Sequence, residues 1–370
     1  MKKLFAVVFL FVSFQLSFGQ DLQKLYVGTF TSNGAEGIYL CNFNPATGEI
    51  TLERIFKGID NPSFLIVSAD KKYLYTVNRY PVEVEKSGGY VSAYKINKTG
   101  DLQFINKQKS HGAGPCHIDV SENGKYVAIA TYGGGTTSLY PVNNQGGLEP
   151  AASIIKNVGK GVNESRQEAP HAHSIKFSRF DNLVFSADLG TDQLNIYKIR
   201  NGRLMSHNQD SVEMVPGAGP RHFDFHPNRE IIYVINELNS TVSTIKNENG
   251  TWQRIQEIST LPADFNGANH CADIHVSADG RFLYGSNRGH NSIAVFQIDN
   301  DSGRLEFKKT VSVEGDWPRN FTLSPDGNFM LVANQKSGNI TVFKINQQTG
   351  IPEFTDNQVE LPAPVCLDFY

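Results

Sequence analysis

Short apolar runs alternate with turn residues along nearly the whole chain, and the alternation itself repeats. A Pro-led strand, a polar turn, an aromatic-rich strand ending in Asn or Asp, a Gly/Asn break and a further strand return about every fifty residues. The copies read PSFLIVSADKKYLYTVNR from Pro62, PCHIDVSENGKYVAIATYGGG from Pro115 and HSIKFSRFDNLVFSADLGTD from His173. They continue with PRHFDFHPNREIIYVINELNS from Pro220, CADIHVSADGRFLYGSNRGHN from Cys271 and PRNFTLSPDGNFMLVANQKSG from Pro318. Apolar runs of this length, alternating and bounded by Gly, Asn, Asp and Ser, predict β-strands, and the spacing leaves room for four strands per unit. The expected fold is therefore all-β, a β-propeller of four-stranded antiparallel blades.

The two chain ends complete the count. PVCLDFY from Pro364 reads as the first strand of a repeat that stops there, whereas KLYVGTF, GIYLCNF and EITLERIF near the start read as the other three strands with no first one. Joined to the six complete copies, they make a seventh blade built from both ends. Such a clasp closes the ring and leaves no unpaired strand edge. The expected domain is a single propeller over residues 21–370, with no composition break that would mark a linker between two sandwiches.

Residues 1–19 fall outside that pattern. Lys2 and Lys3 precede an apolar stretch from Leu4 to Phe14, and Ser17 and Gly19 offer small residues for cleavage before Gln20. This reads as a secretory signal peptide. The apolar run is shorter than the ~20 residues of a membrane span, so the mature chain is expected to be exported, periplasmic or secreted, without a span. A formal net charge of −3 with mixed signs provides no basic run for nucleic acid. The four cysteines, Cys41, Cys116, Cys271 and Cys366, fall on strands that do not adjoin in the blade map, so four buried thiols are expected rather than disulfides.

Aligning the copies superposes two columns of candidate chemistry. The first, at the start of each inner strand, holds Ser63, Cys116, His173, Arg221, Ala272 and Arg319. The second, at the end of the next strand, holds Asn78-Arg79, Thr131-Tyr132, Asp188-Leu189, Asn236-Glu237, Asn287-Arg288 and Asn334-Gln335. Antiparallel neighbours bring the start of one strand beside the end of the next. His173, Arg221, Arg319, Glu237, Arg288 and Arg79 should therefore meet at one mouth of the central channel. Singly, an Asn at a strand end is a turn former and a lone Arg is solvated. Converging, several Arg with one Glu and one His suit an anionic substrate and acid–base chemistry. His171 and His173 form an i, i+2 pair that could share a strand face, but the spacing offers no third metal ligand and the arginines disfavour a cation.

The stretches YVGTFTSNGAEGIY, QEAPHAHS, GAGPRHFDFHPN, YVINELNSTV, SNRGHNSIAVF and WPRNFTLSPDGNFMLVANQ resemble the seven-bladed propeller lactonases, a family that includes bacterial 6-phosphogluconolactonases and fungal carboxy-muconate cyclases. The resemblance spans the whole mature chain. It implies a carboxylic-ester hydrolase acting without metal or cofactor on a small anionic sugar lactone, as a monomer or simple homodimer. It places the catalytic His, Glu and two Arg on His173, Glu237, Arg221 and Arg288; His171 of the same motif, and Arg319 and Arg79 from the columns, are the substrate-binding candidates. In the expected mechanism Glu237 is the general base and His173 the acid, though the two roles can exchange. Two alternatives are a carboxy-muconate cycloisomerase and a non-catalytic exported propeller that binds sugar acids or a protein. The signal peptide departs from an enzyme that works in the cytoplasm, and an exported member meets a different lactone or has other work.

Overall fold

The computed structural model describes residues 22–370, so the predicted signal peptide lies outside the described residues. Within them, seven antiparallel sheets of four strands form a β-propeller. The clasp blade is ordered from the channel outward as Pro364–Phe369, Gln23–Thr29, Gly37–Phe43 and Ile50–Lys57. Its closure pairs Leu25 with Phe369 and Gly28 with Cys366. The six other blades start at Pro62, Pro115, Ala172, Pro220, His270 and Pro318, each within one residue of where a repeat starts in the sequence. Among the described residues no helix is long and apolar enough to cross a membrane.

Each sheet is apolar on both faces because a neighbouring blade covers each of them, which is why the middle strands read as continuous hydrophobic runs. The core is accordingly a ring of inter-blade clusters. Leu25, Tyr39 and Phe43 of the clasp pack on Phe329, Leu331 and Val342 of the blade before it. The aromatic residue that recurs in the second strand also ties blades together. Tyr26, Tyr75, Tyr233 and Tyr284 donate their hydroxyls to the carbonyls of Gly100, Gly146, Gly303 and Gly350, each in a turn of the following blade. Those turns need glycine. Gly303 has φ 76°, and a Cβ there would come within 2.3 Å of the Ile231 side chain.

The four cysteines are free. Cys41, Cys271 and Cys366 are buried as expected, but Cys116 is partly exposed because it stands in the channel-facing column.

One feature of the ladders was not legible in the sequence. In every blade the register between the two inner strands slips at the first column: between Pro62 and Phe64, Pro115 and His117, Ala172 and Ser174, Pro220 and His222, Cys271 and Ile274, Pro318 and Asn320, and opposite Gly28 and Thr29 in the clasp. A bulge adds a residue to one strand and re-aims its side chain. Ser63, Cys116, Arg221, Arg319 and Val365 are the extra residues of five of these bulges, and all five line one cavity at the channel mouth.

Candidate active site

The mouth is organised around one carboxylate. Glu237 follows the second strand of its blade (Ile231–Asn236), and its backbone N–H is held by the carbonyl of Gly219 at 2.7 Å. Its Oε2 accepts hydrogen bonds from Arg221 Nε at 3.1 Å and Arg288 Nη2 at 2.8 Å. Its Oε1 accepts one from Arg166 Nη2 at 2.6 Å. Glu237, Arg221 and Arg288 are 6 %, 2 % and 5 % exposed, so this is a buried charge cluster. Burial pushes the Glu237 carboxyl upward, but Arg288, Arg221 and Arg166 outweigh it and hold the group far below the usual carboxylate range. Burial and the adjacent Arg288 press Arg221 down to about 10, against the pull of Glu237, and Arg221 stays charged.

The remaining arginines have no such partner. Arg319 has no carboxylate within salt-bridge distance among the described residues, and its guanidinium lies 5.2 Å over the ring of Phe30. Arg79 is exposed and lines the same cavity as Arg221, Arg319, Cys116 and Phe30. Three guanidinium groups thus hold a buried carboxylate, and two more face the cavity uncompensated.

His173 stands at the bulge of its strand (Ala172–Phe177) and is 5 % exposed. Burial, then Arg221, His222 and Arg319, lower its basicity well below that of a free histidine, so the imidazole is neutral. Its Nδ1 is buried without a hydrogen-bond partner among the described residues. Tyr132 lies against it edge-on, ring centroids 5.5 Å apart, and stacks on His171 at 4.4 Å. His171 precedes the strand, and both its nitrogens are engaged, Nδ1 at 2.8 Å from the carbonyl of Tyr132 and Nε2 at 3.3 Å from Glu168. The bulge separates the two histidines, so strand alternation does not put them side by side as a chelating pair. Among the described residues no group of three or more His, Cys, Asp or Glu is arranged to hold a metal.

The second column divides into two kinds of residue. Asp188, Asn236, Asn287 and Asn334 are buried and tie the strand ends together: Asp188 Oδ1 alone accepts from the N–H groups of His171, Gly190 and Thr191, and Asn236 Nδ2 donates to the hydroxyls of Thr241 and Ser243. Of the residues in the next place of the column, Arg79 lines the mouth cavity, Glu237 and Arg288 belong to the charge cluster and Tyr132 lies against His173. Sequence reasoning missed Arg166 because it belongs to no repeat. It lies in the connection 157–171, which is longer than the others between blades, and length outside the repeat was the one available signal. Also missed were Tyr132, which stands in the second column but was given no role, and His222, one residue past the first column.

Comparison with known proteins agrees with this architecture. Residues 24–369 match the family model "Lactonase, 7-bladed beta-propeller". A 6-phosphogluconolactonase of Bacillus subtilis strain 168 is 38% identical over 299 residues, covering 80% of this chain and 83% of the relative. One of Formosa agariphila is 36% identical over 306 residues, covering 81% and 86%. Among solved structures, the periplasmic gluconolactonase of Pseudomonas aeruginosa superposes with a TM-score of 0.88 at 32% identity, covering 94% of this chain and 99% of that one. The chain belongs to the seven-bladed β-propeller lactonase family.

Proposed function

We propose that the protein hydrolyses an anionic sugar lactone of the 6-phosphogluconolactone or gluconolactone type, with the chemistry at the arginine-lined mouth. The observation that carries this reading is the charge imbalance: Arg319 and Arg79 face the cavity with no carboxylate to answer them, a setting that favours a phosphate or carboxylate on the ligand. The names of the relatives, two 6-phosphogluconolactonases and a periplasmic gluconolactonase, support the same substrate class. The basic-then-apolar start of the chain and the periplasmic name of the Pseudomonas neighbour support export.

Of the two assignments of base and acid, the geometry favours His173 as the base. A carboxylate that already accepts three guanidinium hydrogen bonds is a weak proton acceptor, whereas a buried neutral imidazole has a lone pair to offer. His173 takes a proton from the attacking water and returns it to the departing ring oxygen. Arg221 and Arg288 stabilise the oxyanion that forms at the carbonyl carbon. Glu237 holds these two side chains and Arg166 in place, and Arg319 and Arg79 bind the substrate's anionic group. The test is hydrolysis of gluconolactone and 6-phosphogluconolactone above their spontaneous rates. His173→Gln should lower kcat at least about 100-fold with a normal melting temperature. Full activity in a folded His173→Gln protein would remove His173 from the mechanism.

A further inference from the structure

The cavity between the arginines is small. It encloses about 10 Å³, room for about one water, so it takes a single reacting group and cannot enclose a sugar ring. It adjoins larger hollows. Phe30 and Arg79 line both the arginine cavity and a groove of about 480 Å³ beside it. Tyr80 in turn lines that groove and a third hollow of about 600 Å³. Shared walls thus join the three into one trough. It leaves the mouth and ends on the flank of the ring, between the clasp and the blade that starts at Pro62.

The lining changes along the trough. Backbone at Gly114 and Gly133 borders the inner groove, and a Cβ at Gly114 would come within 3.6 Å of Arg79 Nε. Asn33, Asn61 and Gln335 stand on its walls, and Gln335 Oε1 is buried with no hydrogen-bond partner among the described residues. Tyr80 donates its hydroxyl to Asp60 Oδ2 at 2.8 Å, which fixes its ring between the two hollows. The outer hollow is aromatic. Alternation in the strand Gly89–Ile96 puts Tyr90, Ser92 and Tyr94 on one face. Phe104 pairs with Tyr94 from the next strand, ring centroids 5.6 Å apart, and Phe56 of the clasp lines the same hollow. Phe104 is 54% exposed, an aromatic ring left open to solvent. Beyond Arg79 the trough carries one carboxylate, Asp60, against Lys57 and Lys107, and the Lys107 ammonium lies over the ring of Tyr90 at 4.0 Å.

Aromatic faces flanked by amides and hydroxyls suit a pyranose, whose ring presents C–H faces and hydroxyl edges. A hydrocarbon chain fits less well, since it would leave Gln335 Oε1 and the wall amides unanswered. We propose that the trough binds the sugar residues of an oligosaccharide whose reducing end is the lactone, so that the substrate is an oligosaccharide aldonolactone. The proposal deepens the lactonase reading above and rests on it. The lactone-bearing residue stays at the arginines, and the attached sugars run outward past Arg79 and Tyr80 to Phe104. Water adds its oxygen to the carbonyl carbon, the ring C–O bond breaks and the ring oxygen takes the proton; the glycosidic bonds beyond are untouched. The reaction that must supply such a substrate is a two-electron oxidation at the reducing-end carbon of an oligosaccharide, by an oxidase or a dehydrogenase.

The test measures kcat and KM for the aldonolactones of glucose, cellobiose and cellotetraose, and of maltose and maltotetraose, each above its spontaneous rate. In one series KM should fall at least about tenfold from one sugar to four. Phe104→Ala, at an exposed ring remote from the arginines, should raise KM for the tetrasaccharide lactone about fivefold and leave that for gluconolactone unchanged. Asn33→Trp, which fills the inner groove from an exposed position, should abolish the length dependence with a normal melting temperature. A KM independent of length in both series, with gluconolactone opened normally, overturns the trough and leaves the lactonase reading intact. So does a length dependence that both variants leave unaltered. A KM that falls instead with the chain length of an acylated lactone assigns the trough to hydrocarbon and overturns the sugar assignment. A wild-type protein that opens no lactone overturns the parent reading, and this one with it.

Discussion

The two ends of the channel come from the same repeat, yet they handle charge in opposite ways. At the far end, Asp119, Asp224 and Asp368 occupy the fifth position of their inner strands. Each accepts the backbone N–H of a residue in the next inner strand, Phe177 at 2.8 Å, Val276 at 3.0 Å and Val67 at 2.7 Å. Their carboxyl oxygens are used in stapling blades. At the arginine mouth, bulges release the column from the ladder, and the side chains there share one carboxylate or have none. A repeat position becomes available for chemistry where the ladder no longer needs it.

The largest effect should come from breaking the ring on which both ends depend. Deleting residues 364–370 removes the inner strand of the clasp and, with Asp368, the staple to Val67. It exposes the Gln23–Thr29 edge, and we expect a melting temperature lower by more than about 10 °C, or aggregation. A normal melt for the truncated chain would contradict the closure.

Next comes the carboxylate at the mouth. Glu237→Gln leaves Arg221 and Arg288 buried without a counter-charge, an imbalance that costs about 3–5 kcal/mol when one partner of a buried pair is removed. We expect a lower melting temperature together with a KM at least about tenfold higher. If Glu237 were instead the working base, kcat would collapse with KM and stability intact, so the two readouts separate anchor from base.

Arg319→Ala should weaken substrate binding about tenfold, or ~1.4 kcal/mol, without destabilising the fold. The cation leaves no carboxylate behind, and its removal relieves repulsion from Arg221 and Arg288. A folded variant with unchanged KM for a phosphorylated lactone would take Arg319 out of the substrate site.

The smallest effect sharpens the contrast through pH. Burial raises the Asp368 carboxyl from its ordinary value to about 7 and that of Asp119 to about 6. A group with a raised folded pKa contributes its full stabilisation below its unfolded value and loses it as pH rises through the folded one. The far end therefore weakens between about pH 4 and about pH 7. Glu237, held low by its arginines, behaves in reverse: its contribution is present at neutral pH and lost in acid. Asp368→Asn should flatten the decline from pH 4 to 7 by on the order of 1 kcal/mol, read from denaturant midpoints. An unchanged slope would show that Asp368 does not carry it.

Much of this was legible in the sequence because a repeat is an internal alignment. The recurrence of Pro-led strands located the blades, the complementary ends disclosed the clasp, and the columns brought His173, Arg221, Arg319, Glu237, Arg288 and Arg79 to one mouth. His171 was drawn in as a strand partner of His173, but its nitrogens are occupied by Tyr132 and Glu168. Cys116, expected to be buried, is partly exposed for the same reason that Arg221 and Arg319 reach the cavity. The bulges behind that exposure leave no mark in the residue pattern, since one unpaired residue in a strand disturbs alternation only locally.

The sequence by itself determined the blade count, the closure and which residues share an end of the channel, because hydrophobic period and turn residues act locally and the repeat multiplies the signal. Only the tertiary structure decided which charges pair. Arg166 reaches Glu237 from a connection outside the repeat, and His222 meets Asp273 across two blades. Those contacts depend on where the ring places residues far apart in the chain, and pairing of that kind decides whether a carboxylate is a base or an anchor.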